Sequence, residues 1–171
     1  DGPEAASLAE PGTNGLIVAR GGIVACDSGT RCLWQIDLKT KKRTLLADRF
    51  EGKRFNSPND LVLAKDGAIY FTDPPYGLRG GGASTVRQLD YTGVFRLSPK
   101  NEVTLIDRTV SPNGIALTPD GKTLYTTDRT GWVAWDLDKA GKPGPKRQVI
   151  ERTDIAGGDG FKIDSKGFLW A

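Results

Sequence analysis

One recurring pattern constrains the fold of this chain more than any other feature. A turn containing Asn leads into a short apolar run, an Asp-Gly pair reverses the chain, and a second run ends on Thr-Asp. The fullest copy is Ser57-Pro58-Asn59-Asp60-Leu61-Val62-Leu63-Ala64-Lys65-Asp66-Gly67-Ala68-Ile69-Tyr70-Phe71-Thr72-Asp73, and it returns from Ser111-Pro112-Asn113-Gly114 to Asp128. Runs this short, rich in β-branched and aromatic residues and bounded by Gly, Pro, Asn and Asp, read as strands. Asp-Gly between two such runs is a strong hairpin signal.

Further copies extend the pattern in both directions. Asn14-Gly15 opens Leu16-Ile17-Val18-Ala19, followed by Ile23-Val24-Ala25-Cys26, Leu33-Trp34-Gln35-Ile36-Asp37 and Thr44-Leu45-Leu46-Ala47. The second unit is completed by Gly93 to Leu97 and Val103 to Asp107, the third by Trp132 to Leu137 and Arg147 to Ile150. A fourth begins at Asp159-Gly160-Phe161 and runs into Phe168-Leu169-Trp170. Asp1 to Pro11 is expected to carry the tail of a preceding strand. The unit openings, Asn14, Asn59, Asn113 and Asp159, are 45, 54 and 46 residues apart. The long interval holds a loop from Pro74 to Thr92, of a length that in a compact sheet is usually functional or mobile. Four strands per repeat of about 45 residues predict an all-β chain and a β-propeller. The expected units are 12–50, 57–110, 111–152 and an incomplete 157–171. Three and a half blades do not close a ring, so further blades are expected beyond both ends. Open sheet faces and edges are expected on the part-ring alone.

Composition narrows the chemistry. The 171 residues contain no Met, from which a longer translated chain is expected, and no His, so a Ser-His-Asp triad cannot be assembled from them. With 24 basic and 21 acidic residues the net charge of +3 is weak, and Lys39 to Arg43 reads as a solvated turn, which argues against a nucleic-acid partner. No apolar run approaches the roughly 20 residues of a membrane span, and no signal peptide is visible. No membrane partner is expected. Cys26 and Cys32 flank a turn and read either as two small buried thiols or as a cross-strand disulfide.

In a propeller the first strand of each blade lines the central channel, so the residues that open those strands converge at one mouth. Asn14, Asn59, Asn113 and Asp159 are therefore expected together. Their oxygens are hard donors suited to Ca²⁺ or Mg²⁺. Asn-Gly and Asn-Asp also recur wherever turns recur, and both readings stand at this point. Asp66, Asp120 and Asp164 read as hairpin-turn residues, and Asp73 and Asp128, which end matching second strands, as structural.

The combination of Asn56-Ser57-Pro58-Asn59-Asp60-Leu61-Val62 with Tyr70-Phe71-Thr72-Asp73-Pro74-Pro75-Tyr76-Gly77 resembles the gluconolactonase branch of the senescence-marker-protein (regucalcin-like) family. Leu46 to Arg54, Ala25 to Arg31, Ser111-Pro112-Asn113-Gly114 and Asp159-Gly160 are similar to it too, so the resemblance covers residues 10–171. It implies a six-bladed propeller with one divalent cation at the channel mouth, calcium ahead of magnesium, zinc or manganese. It implies metal ligands at Asn113 and Asp159, and at Asn59 a contact to the metal, its water or the substrate. The family's first-blade Glu ligand has no counterpart; Glu4 and Glu10 are not assigned to it. Ser57 stands where regucalcin members carry Arg, and no His stands near Asp27-Ser28, as it does in many gluconolactonase-like members.

The expected activity is metal-dependent hydrolysis of a gluconolactone-like sugar lactone, a small-molecule substrate. The part-ring alone is expected to be inactive. The cation polarises the carbonyl, and Asp159 is the expected catalytic residue, holding or deprotonating the attacking water. Asn59 and Arg87 are the expected substrate-binding residues, Arg87 from a loop that also carries Tyr76 and Arg79. The alternatives are hydrolysis of other esters or organophosphates at the same metal site, and a non-enzymatic binding platform.

Overall fold

The computed structural model describes residues 12–151 and 158–171. The strand tail expected in 1–11 and the expected start of the fourth unit at 157 lie outside them. Sixteen strands occur in the described residues. The first sheet contains β1 (Thr13–Ala19), β2 (Gly22–Asp27), β3 (Cys32–Ile36) and β4 (Arg43–Ala47) in that order. A two-stranded hairpin of β5 (Arg49–Phe50) and β6 (Lys53–Arg54) follows. The second sheet is built from β7 (Leu61–Leu63), β8 (Ile69–Asp73), β9 (Gly93–Leu97) and β10 (Val103–Asp107). The third is β11 (Ile115–Leu117), β12 (Thr123–Asp128), β13 (Gly131–Asp136) and β14 (Arg147–Glu151), and β15 (Lys162–Ile163) pairs with β16 (Leu169–Trp170). Every pairing is antiparallel between sequence neighbours. The first strands pack in succession, β1 against β7, β7 against β11 and β11 against β15. The chain is an all-β, propeller-type array, as the repeat predicts.

The turns form for local reasons. Asp66, Asp120 and Asp164 each accept backbone N–H groups from their own hairpins, from Ala68, from Lys122, and from Lys166 and Phe168. Gly67 follows Asp66 with φ +83°, a conformation glycine adopts without a Cβ penalty. Asp37 caps the basic turn, its Oδ1 accepting from the N–H groups of Lys39 and Thr40. The β5–β6 hairpin is not predicted from periodicity, because two-residue strands have no measurable alternation. It turns through Glu51 and Gly52, both at positive φ as in a type I′ turn.

The core lies between sheets. Alternate residues of β8 point to opposite neighbours: Ile69 and Phe71 join a cluster with Val24, Cys26 and Leu33 of the first sheet, and Tyr70 joins Ile115, Leu124 and Trp135 of the third. This explains why β8 is buried along its length while most strands are half-exposed. Phe55, Phe71 and Phe95 pack with ring centroids 5.2 to 5.4 Å apart. A smaller cluster of Ala116, Trp132 and Phe161 joins the third sheet to the last hairpin. Apolar side chains at the two ends of the array are exposed, Leu16 and Val18 on β1 and Phe168 and Trp170 on the last hairpin. The expected open faces are thus present.

Cys26 and Cys32 are both free and buried. Cys26 pairs with Leu33 and Cys32 with Asp27 across β2 and β3. Directly opposed residues share a face and neighbours alternate, so the two thiols point to opposite sides of the sheet. The two-thiol reading holds.

Candidate functional site

The residues that open the first strands are brought together through their backbones. Gly15 donates its N–H to the Asn59 carbonyl at 2.7 Å. Thr72 donates its hydroxyl to the Asn113 carbonyl at 2.7 Å. A Cβ on Gly114 would lie 2.6 Å from the Asp159 carbonyl, and one on Gly15 would lie 2.7 Å from that of Asn59. The glycine after each Asn thus lets the next sheet approach. This is what Asn-Gly does at both Asn14 and Asn113, beyond making a turn.

The second repeat departs from this rule, with Asp60 after Asn59. Its carboxylate spans to the neighbouring sheets: Oδ2 accepts from Ile115 N at 3.1 Å and lies 3.4 Å from Lys162 Nζ, and Oδ1 accepts from Leu61 N. Asp60 is a residue that the motif reading passed over. The available signal was that, of the four openings, it alone has a charged residue where the others have glycine.

The Asn59 and Asn113 loops are fastened from below. Asp73, wholly buried at the end of β8, accepts the N–H of Asn56 on Oδ2 at 2.7 Å and that of Ser57 on Oδ1 at 2.9 Å. Asp128 does the same in the third sheet, accepting from Ser111 N at 2.8 Å. The structural reading of both carboxylates is therefore correct. Burial pushes the Asp73 carboxyl up to about 7, opposed by the Asn56 and Ser57 N–H groups and by the charges of Arg31 and Arg87. Arg31, 1% exposed, donates Nε to the carbonyls of Phe55 and Asn56 and Nη1 to that of Val86.

Of the expected site residues, Asn59 is buried, Asn113 half-buried and Asp159 exposed. Asn113 N donates to Thr127 Oγ1, and Asp159 Oδ1 accepts from Gly160 N. Asn14 is exposed in β1. Arg87 donates Nε to Asn56 Oδ1 at 3.1 Å and Nη1 to the Gly82 carbonyl at 3.0 Å. It therefore ties the long loop to the Asn59 segment.

That loop is held in place. Leu78 and Leu89 are buried, and a 3-10 turn runs over Gly81–Ala83. Gly77 donates N–H to Ser57 Oγ, and a Cβ there would meet Ser28 and Ser57. The preceding Tyr76 sits within electrostatic reach of Asp159: burial raises its phenol, Arg129 opposes this, and the charges of Asp128 and Asp159 add to it. The loop, with Arg87, borders a cavity of about 580 Å³.

The sequence profile of the SMP-30/Gluconolactonase/LRE-like region matches residues 1–171. This chain belongs to that family. It is 44% identical to a gluconolactonase of Zymomonas mobilis over 181 aligned positions, which cover 98% of this chain and 51% of that protein. Lactonohydrolase oryL of Aspergillus oryzae is 36% identical over 115 positions, 66% of this chain and 26% of oryL. The solved structure of a gluconolactonase from Xanthomonas campestris matches with a TM-score of 0.82 at 36% identity, over 92% of this chain and 55% of that one. The chain spans about half the length of the Zymomonas and Xanthomonas relatives.

The resemblance implies a divalent cation held by these residues. The side chains of Asn59, Asn113 and Asp159 supply amide and carboxylate oxygens, the hard type that calcium takes. Among the described residues no group of three or more Asp, Glu, His or Cys is placed to hold a metal. The set fits a hard cation in kind, and it is short of the roughly six to eight oxygens of a complete calcium shell.

Proposed function

We propose that this chain is part of a six-bladed propeller that hydrolyses a sugar lactone at the channel mouth, with one divalent cation, calcium first among the candidates. The observation that carries the reading is the alignment of Asn59, Asn113 and Asp159 in successive sheets, in a chain 44% identical to a gluconolactonase over 98% of its length.

In the reaction water adds to the lactone carbonyl, the ring C–O bond breaks, and the ring oxygen leaves as a hydroxyl after taking a proton. A hydroxy acid results, released as its carboxylate. The amide oxygens of Asn59 and Asn113 and the carboxylate of Asp159 would hold the cation. When bound it withdraws electron density from the carbonyl and favours the charge that develops on its oxygen. Asp159 orients the attacking water and accepts its proton. Asn59, set rigidly through Asp73 and Gly15, orients the substrate. Tyr76 stands within electrostatic reach of Asp159. Further blades, beyond the exposed faces of β1 and the last hairpin, complete the ring and the donor set.

Asp159→Ala in the full-length protein is expected to abolish lactone hydrolysis and to weaken calcium binding, measured by calorimetric titration. Full activity with unchanged calcium affinity would overturn the assignment. A panel of lactones, aryl esters and phosphotriesters separates lactone hydrolysis from other ester chemistry on the same residues.

A further inference from the structure

The loops leading into first strands and those joining second to third strands lie at the same end of each sheet, because neighbouring strands are antiparallel. The cavity of about 580 Å³ lies at that end, between the Pro74–Thr92 loop, the β10–β11 connection and the β12–β13 turn. Its volume falls within the roughly 300–1,000 Å³ of small-molecule sites. It reaches the mouth, since Ser111, two residues before Asn113, and Tyr76, near Asp159, both line it.

Three guanidinium groups face this cavity, those of Arg87, Arg108 and Arg129, with the rings of Tyr76 and Tyr91. Among the described residues none of the three forms a salt bridge. Lys146, outside the lining, donates Nζ to the lining residue Thr109 at Oγ1, 2.6 Å. Asp90 is the lining carboxylate. Two nearby carboxylates are already engaged: Asp107 Oδ1 accepts from the N–H and hydroxyl of Thr109, and Asp128 Oδ1 from the N–H groups of Ser111 and Arg129. Arg108 stacks over Tyr91, 5.9 Å from the ring centre, which sets the plane of its fork. Arg87 spends Nε on Asn56 Oδ1 and Nη1 on the Gly82 carbonyl, so the exposed Arg108 and Arg129 are the groups with donors to offer. Planar guanidinium forks recognise phosphate and carboxylate in bidentate fashion. In a chain of net charge +3, three arginines against one carboxylate in the lining of one cavity mark a local excess.

We propose that this cavity is a subsite for an anionic substituent, phosphate or carboxylate, carried by the lactone at the end remote from its carbonyl. The proposal rests on the lactonase reading for the identity of the rest of the ligand. It makes the substrate class anionic sugar lactones rather than neutral ones.

The test uses the full-length protein and three lactones: glucono-1,5-lactone, its 6-phosphate, and a hexaric acid lactone bearing a carboxylate. The expected result is a kcat/KM for at least one anionic lactone about tenfold or more above the neutral one, the scale of a charge-assisted bidentate contact. The preferred anionic lactone identifies the group. Arg108→Gln/Arg129→Gln is expected to erase the preference, whereas Lys39→Gln, which removes a remote charge, leaves it intact. Preference for the neutral lactone, or equal loss on all three in the double variant, would overturn the subsite. If none of the three is hydrolysed, the lactonase reading falls. Calorimetric titration of 6-phosphogluconate then decides the subsite separately. Binding that the double variant loses supports it; binding that the variant retains, or no binding at all, overturns it.

Discussion

Asp73→Asn isolates the carboxylate beneath the Asn59 loop. Asp73 is fully buried, its two oxygens accept the Asn56 and Ser57 N–H groups, and burial lifts its pKa to about 7. The unfolded value is about 3.9. Between these values the folded state binds the extra proton, so the contribution of Asp73 to stability is fully present below about pH 4. It is lost progressively as pH rises through 7. From pH 5 to pH 8 the loss amounts to roughly 3 kcal/mol. Asparagine does not titrate, but it turns one acceptor into a donor facing a buried N–H, which costs about 1 kcal/mol or somewhat more. The variant is therefore expected to be less stable than the parent by about 1 kcal/mol at pH 5 and more stable by about 2 kcal/mol at pH 8. Urea unfolding of the full-length protein, followed by tryptophan fluorescence at both pH values, measures the difference. An offset that does not change with pH would refute the reasoning. So would a variant that loses more at pH 8, since that would mean Arg31, rather than burial, governs the carboxylate.

Gly114→Ala, whose Cβ would stand 2.6 Å from the Asp159 carbonyl, is expected to cost about 1–3 kcal/mol and to weaken calcium binding. Gly160→Ala, with nothing within 4 Å, is expected to cost less than about 0.5 kcal/mol by the same unfolding assay. Gly77→Ala forces a Cβ to within 2.8 Å of Ser28 and 2.9 Å of Ser57, and is expected to speed limited proteolysis within the Pro74–Thr92 loop. Burial pushes the Cys26 thiol well up and that of Cys32 to about 11, so neither is expected to react with a thiol reagent at pH 8 until the protein is unfolded. Rapid labelling of the native protein would contradict their burial.

The strands were legible because their determinants are local. Leu61-Val62-Leu63 and Ile69 to Phe71 are short apolar runs on either side of Asp66-Gly67, and that information lies within about a dozen residues. The hairpin through Glu51 and Gly52 was not legible, since two residues on either side carry no period and Glu-Gly is a weak turn signal. Asp60 was hidden for a different reason. Its partners, Ile115 and Lys162, lie 55 and 102 residues away in sequence. The pairing of Asp73 with the Asn56 and Ser57 N–H groups was half-visible: its repeat with Asp128 marked it as structural, but the sequence did not name the partners.

The sequence by itself determined that this chain is a series of four-stranded units, and that an Asn or Asp opens each first strand. Those properties follow from backbone preference and alternation, which act over a few residues. Only the tertiary structure decided that Gly15 and Gly114 exist to admit the next sheet, that Asp60 bridges sheets, that Cys26 and Cys32 face apart, and that three arginines from separate loops share one cavity. These depend on residues 21 to 102 positions apart in the sequence, or on strand register, and neither is encoded in any single stretch. The packing of sheet against sheet brings the far residues together.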